Sequence, residues 1–331
     1  MSQENGILII AESTQSGDLK PITGELFAAA SGLSESLGEP ISVALIGQGV
    51  SGKAQDAINL GASKVYVIDN PIFQNYLNET YTEAVISIAS KANPRIILMG
   101  HTPNGRELGP SVAVRLETGI ATDTSGLSIS DGKLEATRSL TGGLFRQKTG
   151  FPKFPNIATV HMKAYDVPEP SAGLNGEVIE VTVDIDANNL RSKFVNHSEA
   201  VSEGIKIEDA KIIICGGRGM GGKEEFDTLY DLTEVIAESA VAATRAAADS
   251  EFCGQDLMIG ITGKVVSPEV YFAIALSGAS QHMAGCSGSK NIIAINKDPE
   301  ANIFKESKYG VIGDYKDVVP AFLDELKKLE G

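Results

Sequence analysis

The sequence predicts an α/β protein with two domains, each built on a doubly wound parallel sheet. Short apolar runs alternate with helical patterns along the chain, as expected for buried parallel strands joined by helices. Many of these runs end in glycine-rich turns. The length of 331 residues also exceeds the usual size of a single hydrophobic core, so two domains are expected.

The first half of the chain contains four apolar runs that predict short buried strands. They lie at residues 6–12, 41–47, 64–69 and 95–100, and the helical patterns between them include 22–38 and 80–92. Because strands and helices alternate, we expect a parallel sheet covered by helices.

A glycine-rich turn, G-Q-G-V-S-G at residues 47–52, follows the second of these predicted strands. Its spacing matches the G-x-G-x-x-G pattern of dinucleotide-binding turns, and Asp69 ends the next strand. A single match of this kind is also common in ordinary sheets. The turn is therefore either structural or part of a nucleotide site, and the sequence favours the structural interpretation.

The pattern changes between about residues 124 and 200. Residues 127–140 predict a hairpin around an Asp-Gly turn, and residues 175–187 alternate with a period of two. We expect these antiparallel strands to complete a first domain of residues 1–200. A polar stretch follows, so we place a linker at 201–210 and a second domain at 211–331.

The second domain repeatedly runs an apolar segment into a polar, glycine-rich turn. The segments are KIIICGGRGMGG (211–222), DLMIGITGK (256–264), SGASQHMAG (277–285), NIIAINKD (291–298) and YGVIGD (309–314). Ligands of open α/β sheets bind beyond the carboxyl ends of the strands, where glycines let backbone amides approach a phosphate. The series therefore predicts one nucleotide pocket assembled from successive loops.

Helical signals interrupt this series at three places. Ser267-Pro268-Glu269 is typical of a helix start, which predicts a buried helix over the apolar residues 271–276. The alanine-rich residues 241–249 also predict a helix, which carries Arg245. A further short helix is expected near residues 280–282, with its positive end available to an anionic ligand.

Composition and charge disfavour several classes of function. The chain has 28 basic and 43 acidic residues, and its net charge of −15 argues against a nucleic acid partner. Its three cysteines are far apart and lack a nearby histidine cluster, so neither a disulfide framework nor a zinc site is expected. No apolar stretch approaches the roughly 20 residues of a membrane span. Without a leader-like start, the expected location is the cytoplasm of a prokaryote.

Taken together, the loops of the second domain resemble the α subunit of electron transfer flavoprotein. The matching segments are GGRG around Arg218, TRAAAD (244–249), GITGK (260–264), SPEVY (267–271), SGASQH (277–282), INKDPEANIF (295–304) and YGVIGD (309–314). Residues 104–123 of the first domain are similar to the family more loosely. The resemblance implies a Rossmann-like FAD-binding domain, FAD as cofactor and a heterodimer with a β subunit. It also implies that the first domain packs on that partner and that the linker lets the flavin domain swivel.

The resemblance also implies roles for individual residues. It places Arg245 against the flavin ring, His282 beside the ring's C2 carbonyl and Thr262 as a donor to N5. Taken alone, an arginine such as Arg245 is more often a solvated charge, a histidine such as His282 is more often a hydrogen-bonded structural residue, and Thr262 would be only a turn hydroxyl. The complete implied set, from the ring through the pyrophosphate to the adenosine, is Arg218, Thr244, Arg245, Gly260, Ile261, Thr262, Ser277, Gly278, Ala279, Ser280, Gln281, His282, Asn296 and Asp314.

The sequence departs from the family pattern at three places. Ile261 stands where the family usually has glutamine, which bears on the flavin potential. The segment T-G-G-L-F-R-Q at 141–147 lacks the usual asparagine after the paired glycines, and His161-Met162 replaces an Arg-Pro. The last two departures lie in the first domain, so they bear on subunit packing.

The resemblance implies an electron carrier that accepts electrons from flavin dehydrogenases, such as acyl-CoA dehydrogenases, and passes them to an acceptor such as a quinone oxidoreductase. An alternative is a subunit of a flavin-based bifurcating complex that oxidises NADH and reduces ferredoxin and a second acceptor. The β subunit, with AMP or a second flavin, mainly determines that choice. A more remote alternative is an NAD-dependent dehydrogenase, although no acid–base pair is visible around these loops.

Overall fold

The computed structural model describes residues 6–14, 16–140, 145–196 and 204–330. These residues form two compact units, one within 6–196 and the other within 204–330. The predicted linker of 201–210 is described only from residue 204 onwards. Within it, Ile207 and Ala210 are each 3% exposed and belong to the core of the second unit, whereas Ile205 is 44% exposed.

The first unit contains, within the described residues, a parallel seven-stranded sheet and a separate sheet of three strands. Its strands are β1 (Ile7–Ile10), β2 (Ile41–Gly47), β3 (Lys64–Asp69), β4 (Ile96–Gly100), β5 (Ile120–Thr124), β6 (Gly126–Ser130), β7 (Lys133–Leu140), β8 (Phe145–Gly150), β9 (Asn156–Val160) and β10 (Glu177–Glu180). Its helices are α1 (Pro21–Leu37), α2 (Ala54–Asn59), α3 (Asn78–Ala92) and α4 (Pro103–Arg115). In the seven-stranded sheet the strand order is β10-β3-β2-β1-β4-β9-β5, and every neighbouring pair is parallel. Apolar clusters cover both faces, as the continuous apolar runs predict.

The strands β6, β7 and β8 form a separate antiparallel sheet. Its first turn contains Asp131 and Gly132, whose φ angles of 51° and 73° belong to the left-handed region that a two-residue hairpin needs. The predicted hairpin is therefore confirmed. The TGGL part of the departing segment at 141–147 lies outside the described residues.

The prediction of antiparallel strands at residues 175–187 is wrong. The strand there, β10, pairs in parallel with β3, with Val178 opposite Val65. A period of two reports that one face of a strand is more exposed than the other, and it carries no information on strand direction. As an edge strand, β10 keeps this alternation although it extends a parallel sheet.

The chain's own carboxylate occupies the glycine-rich turn of the first unit. Asp69 accepts hydrogen bonds from the amides of Gly49 and Ser51, at 2.7 and 2.9 Å, and from the Ser51 hydroxyl at 2.7 Å. Burial would raise the pKa of Asp69, but these hydrogen bonds outweigh it and the pKa is lowered. The amides that could bind a phosphate at this turn already donate to Asp69, which agrees with the structural interpretation of the turn.

The second unit is built on a parallel six-stranded sheet. Its strands are β11 (Ile212–Gly216), β12 (Ser239–Thr244), β13 (Met258–Ile259), β14 (Val270–Ile274), β15 (Asn291–Asn296) and β16 (Tyr309–Ile312). Its helices are α5 (Lys223–Asp227), α6 (Tyr230–Val235), α7 (Arg245–Asp249), α8 (Ser280–Met283), α9 (Ile303–Glu306) and α10 (Tyr315–Glu330). The order β13-β12-β11-β14-β15-β16 is that of the dinucleotide-binding Rossmann fold, 3-2-1-4-5-6. The Rossmann-like prediction is confirmed.

Two helix predictions in this unit are wrong. The apolar residues after Ser267-Pro268-Glu269 form the strand β14, and the alanine-rich residues before Arg245 form the strand β12. A short apolar run fits a buried strand as well as a buried helix, and pairing with β11 decides both cases. The helix α7 begins only at Arg245, where the Thr244 hydroxyl accepts a hydrogen bond from the Ala247 amide at 3.3 Å.

A histidine pair flanks a carboxylate at the carboxyl edge of the first sheet. Asp123, at a register shift between β5 and β9, has a φ of 59°. Its carboxylate lies 2.7 Å from Nδ1 of His161 and 3.7 Å from Nε2 of His101. A titratable group, His161, thus pairs with the acid here. The hydrogen bond to Asp123 raises the pKa of His161 and lowers that of Asp123.

We predict that replacing His161 by glutamine lowers stability more at pH 5.5 than at pH 8.5. The raised pKa of His161 contributes stability below about pH 6.5, which is lost as the pH rises through the folded value. The lowered pKa of Asp123 contributes stability above about pH 4, which is lost as the pH falls through the folded value. Because Asp123 is 45% exposed, solvent screening limits the difference to about 0.5–1 kcal/mol.

Urea unfolding at the two pH values measures this difference. His101→Gln is the matched control, because burial lowers the pKa of His101 and gives its contribution the opposite dependence on pH. Equal destabilisation of His161→Gln at both pH values would contradict the charged pair.

Candidate functional site

A cavity of about 780 Å³ lies at the carboxyl ends of β11 to β15. It spans the point between β11 and β14 where the strand order reverses, which is where ligands bind in sheets of this type. Twelve predicted site residues line it: Arg218, Thr244, Arg245, Gly260, Ile261, Thr262, Ser277, Gly278, Ala279, Gln281, His282 and Asn296. The structure thus gathers into one cavity residues that lie far apart along the chain.

The two remaining predicted residues lie beside this cavity. Asp314 lines an adjoining cavity of about 290 Å³, which shares Gly219, Ala275 and Asn296 with the first. Ser280 is the exposed first residue of α8 and lines neither cavity. Both cavities fall near the range of about 300–1,000 Å³ that is usual for small-molecule sites.

The loops after β11 and β14 meet backbone to backbone. The amides of Gly217 and Gly219 donate to the carbonyls of Ile274 and Ala275, at 2.9 and 3.1 Å. A Cβ atom on Gly217 would lie 2.3 Å from the Ala275 oxygen, and one on Gly219 would lie 2.6 Å from it. Only glycine permits this approach, which brings Arg218 to the rim of the cavity.

The loop after β14 makes a second close approach. Gly278 has a φ of 74°, and a Cβ atom there would lie 2.5 Å from both the nitrogen and the Cα of Ile303. The amide of Ile303 donates to the Ser277 carbonyl at 3.0 Å. This contact fixes residues 277–279, whose backbone lines the cavity, against the start of α9.

The loop after β13 is tied to α8. The Ile261 amide donates to the Gln281 carbonyl at 2.9 Å, and Gly260 takes a φ of 144°. The Ile261 side chain is 63% exposed, so the departure from glutamine places an apolar group at the rim of the cavity. Thr262 follows it and also lines the cavity.

The helix α7 presents an ion pair to the cavity. Nε of Arg245 lies 3.1 Å from a carboxylate oxygen of Asp249, and both side chains line the cavity. Both are more than half exposed, so the pair contributes little to stability. Asp249 is not among the predicted site residues, although its position four residues after Arg245 within TRAAAD could have identified it. Asp298, a second lining acid, was also missed.

His282 is nearly buried, with 7% of its surface exposed. Its Nδ1 lies 3.1 Å from the Ile259 carbonyl and its Nε2 lies 2.9 Å from the Tyr271 hydroxyl. Burial lowers the pKa of His282 to about 4, so the ring is neutral near neutral pH. Both ring nitrogens thus have protein partners, as in a hydrogen-bonded structural histidine, while the ring also lines the cavity. A donor role toward the flavin carbonyl stays a prediction.

The donors around the two cavities suit an anionic dinucleotide. Glycine-rich backbone and two arginines, Arg218 and Arg245, line the larger one. Within the described ranges, no group of three or more histidine, cysteine, aspartate or glutamate residues is placed to hold a metal ion. None of the helices in the described part of the chain combines the length and apolarity that a bilayer crossing requires.

Two family models match the chain. The electron transfer flavoprotein domain matches residues 7–186, and the electron transfer flavoprotein FAD-binding domain matches residues 206–287. The second match covers β11 to α8 and therefore includes most of the loops that line the larger cavity.

Curated relatives match over nearly the full chain. The electron transfer flavoprotein subunit alpha of Thermoanaerobacterium thermosaccharolyticum is 37% identical and covers 100% of each chain. That of Bacillus subtilis is 37% identical, covering 97% of this chain and 98% of its own. That of Megasphaera elsdenii is 38% identical, covering 100% and 99%. This chain belongs to the electron transfer flavoprotein alpha subunit family, and FAD is the cofactor of its second domain.

Proposed function

We propose that this chain forms a heterodimer with an electron transfer flavoprotein β subunit and carries electrons on FAD. In this proposal it accepts electrons from flavin dehydrogenases of the acyl-CoA dehydrogenase type and passes them to an acceptor such as a quinone oxidoreductase. The observation that carries the proposal is the cavity at the switch point of the second sheet, with glycine-rich backbone and two arginines around it.

The FAD would span the two adjoining cavities. Arg245 and Thr262 would contact the ring, and His282 would lie beside it. Arg218 and the backbone of 277–282 would hold the pyrophosphate, with Asn296 and Asp314 on the adenosine side. Support comes from the lining of the larger cavity by Arg245, Thr262 and Arg218, and from Asn296, which lines both cavities.

The protein supplies binding and electrostatics, while the flavin supplies the redox chemistry when bound. The guanidinium of Arg245 favours negative charge at the ring and so raises the potential at which an electron is accepted. The carboxylate of Asp249, 3.1 Å from that guanidinium, opposes this effect. The flavin potential would then depend on the net electrostatic effect of these two opposite charges on α7.

We predict opposite shifts of the first one-electron potential for Arg245→Ala and Asp249→Asn. Loss of a charge-assisted hydrogen bond of about 1.5–3 kcal/mol lowers the potential of Arg245→Ala by roughly 65–130 mV. Asp249→Asn raises it, because the arginine then acts without its counter-charge. Thr262→Val, which loses a neutral hydrogen bond of about 0.5–1.5 kcal/mol, shifts it less.

Reductive titration of the unaltered heterodimer and of the three variants measures these shifts. Lys305→Ala is a suitable control, since its ammonium is bonded to Asn302 and does not line the cavity. Unchanged potentials in both Arg245→Ala and Asp249→Asn would show that the ring does not lie against α7.

We predict that Gly278→Ala abolishes FAD retention and lowers the stability of the second domain by about 2–4 kcal/mol. The added Cβ would meet the backbone of Ile303 at 2.5 Å, at a φ of 74°. Gly204→Ala is the matched control, because Gly204 also has a positive φ, 91°, but has open space around its Cβ direction and lines neither cavity. It should lose only about 1–2 kcal/mol and keep FAD. Equal FAD content in both variants, measured after gel filtration, would contradict the placement.

The function itself is tested with the purified heterodimer. Co-expression with a β subunit should give a yellow complex that releases FAD on acid denaturation, whereas this chain alone should aggregate or hold FAD weakly. An acyl-CoA dehydrogenase with its substrate should then bleach the flavin absorbance anaerobically, and NADH alone should not. Reduction by NADH coupled to ferredoxin would replace the proposal with the bifurcating alternative. A colourless complex that binds NAD would overturn it.

A further inference from the structure

Tyr271 lies behind the cavity and does not line it. It belongs to β14, which stands between β11 and β15 in the sheet, and its side chain is fully buried. Its hydroxyl is 2.9 Å from Nε2 of His282. The sequence offers no sign of this contact, because eleven residues and a change of secondary structure separate the two positions.

The two partners of His282 determine where its ring carries the proton. A backbone carbonyl can only accept a hydrogen bond, so Nδ1, at 3.1 Å from the Ile259 oxygen, holds the proton. In the neutral ring Nε2 is then an acceptor, and the Tyr271 hydroxyl is the donor that satisfies it. The contacts therefore run in one direction, from Tyr271 through His282 to Ile259.

The neighbouring thiols are poor substitutes for the Tyr271 hydroxyl. The Cys215 thiol lies 3.9 Å from Nε2, and the Cys286 thiol donates to the His282 carbonyl at 3.6 Å. Both cysteines are fully buried, and a thiol is a weak donor. Burial raises the pKa of the Cys286 thiol to about 12, as expected for a dry environment.

The far end of this chain of contacts is a loop of the flavin cavity. Ile259 is the last residue of β13, a two-residue strand at the edge of the sheet. The residues after it, Gly260 to Thr262, line the cavity. The His282 ring and the bond from the Ile261 amide to the Gln281 carbonyl both join this loop to α8. The loop also folds back on itself, since the Lys264 amide donates to the Met258 carbonyl at 2.8 Å.

We infer that Tyr271 is a positioning residue for the FAD site. Its hydroxyl holds the neutral His282 ring in place, and this ring links β14 to the loop of Ile259 to Thr262. Tyr271 thereby fixes the position of Thr262 relative to the flavin without touching the flavin itself. The inference rests on the proposed placement of FAD in this cavity, but not on the identity of the electron donor. A failure here would therefore leave the proposed electron transfer intact.

The first test reads the proton on His282 directly. The four histidines of this chain are labelled with ¹⁵N, and the chain is assembled with an unlabelled β subunit and FAD. In long-range ¹H–¹⁵N spectra, His282 should show a protonated Nδ1 and an unprotonated Nε2, without titration between about pH 5.5 and pH 9. A protonated Nε2 in the unaltered protein would overturn the inference, and this measurement needs no variant.

The second test separates positioning from core packing. Tyr271→Phe should mix the tautomers of His282 and speed FAD release about fivefold, the effect of one lost neutral hydrogen bond. Tyr165→Phe is the matched control, since its hydroxyl accepts from the Leu127 amide in the first domain, and it should change neither quantity. In a His282→Leu background, Tyr271→Phe should change FAD release less than about twofold. Effects that multiply in the double variant would show that Tyr271 acts only through packing and would overturn the inference.

Discussion

The close approach of main chains at the carboxyl edge of the second sheet is the constraint on which the site depends. Gly217 and Gly219 lie against the Ala275 carbonyl, and Gly278 lies against the backbone of Ile303. Side chains at any of these glycines would drive the loops apart by an ångström or more. At Gly217 and Gly219 the loops after the neighbouring strands β11 and β14 meet backbone to backbone, and at Gly278 the loop after β14 meets the start of α9. The residues that the loops at this edge present to a ligand include glycines as well as charged and polar residues such as Arg218, Arg245 and Asn296.

The first unit shows how the same architecture can close such an edge. There, the Asp69 carboxylate takes up the amides of the glycine-rich turn at Gly49 and Ser51. At the neighbouring switch point, the Thr102 hydroxyl at the start of α4 donates to the Glu12 carboxylate at 2.5 Å. An internal carboxylate therefore accepts hydrogen bonds at both of these positions, where a parallel sheet could otherwise receive an anion. In the second unit the cavity between the corresponding loops stays open. Both units thus contain a parallel sheet, but they differ in the group that accepts hydrogen bonds from the donors at the carboxyl edge of that sheet.

The sequence predicted what depends on local pattern and missed what depends on distant partners. Apolar runs and glycine-rich turns predicted most strands and a pocket at the loops that follow them, and the family resemblance implied twelve of the residues that line the cavity. They could not predict that residues 271–274 form a strand, because only pairing with β11 distinguishes a short buried strand from a helix. They also could not give the direction of β10, which its partner β3 sets. Tyr271 was missed because its role lies in one contact with His282, formed only once the loop after β14 has folded back.

Ala275 shows that the site also holds backbone strain that glycine would avoid. Its φ of 52° lies in the left-handed region, which costs an L-residue roughly 1–2 kcal/mol. Two hydrogen bonds hold it there, since its amide donates to the Ile295 carbonyl at 2.9 Å and its carbonyl accepts from Gly219 at 3.1 Å. These bonds join the loops after β11 and β14 to β15, and Ala275 lines both adjoining cavities. Strain of this kind persists only where the surroundings determine the conformation more strongly than the residue does. The sheet beneath therefore supplies the free energy that keeps the loops of the flavin site in place.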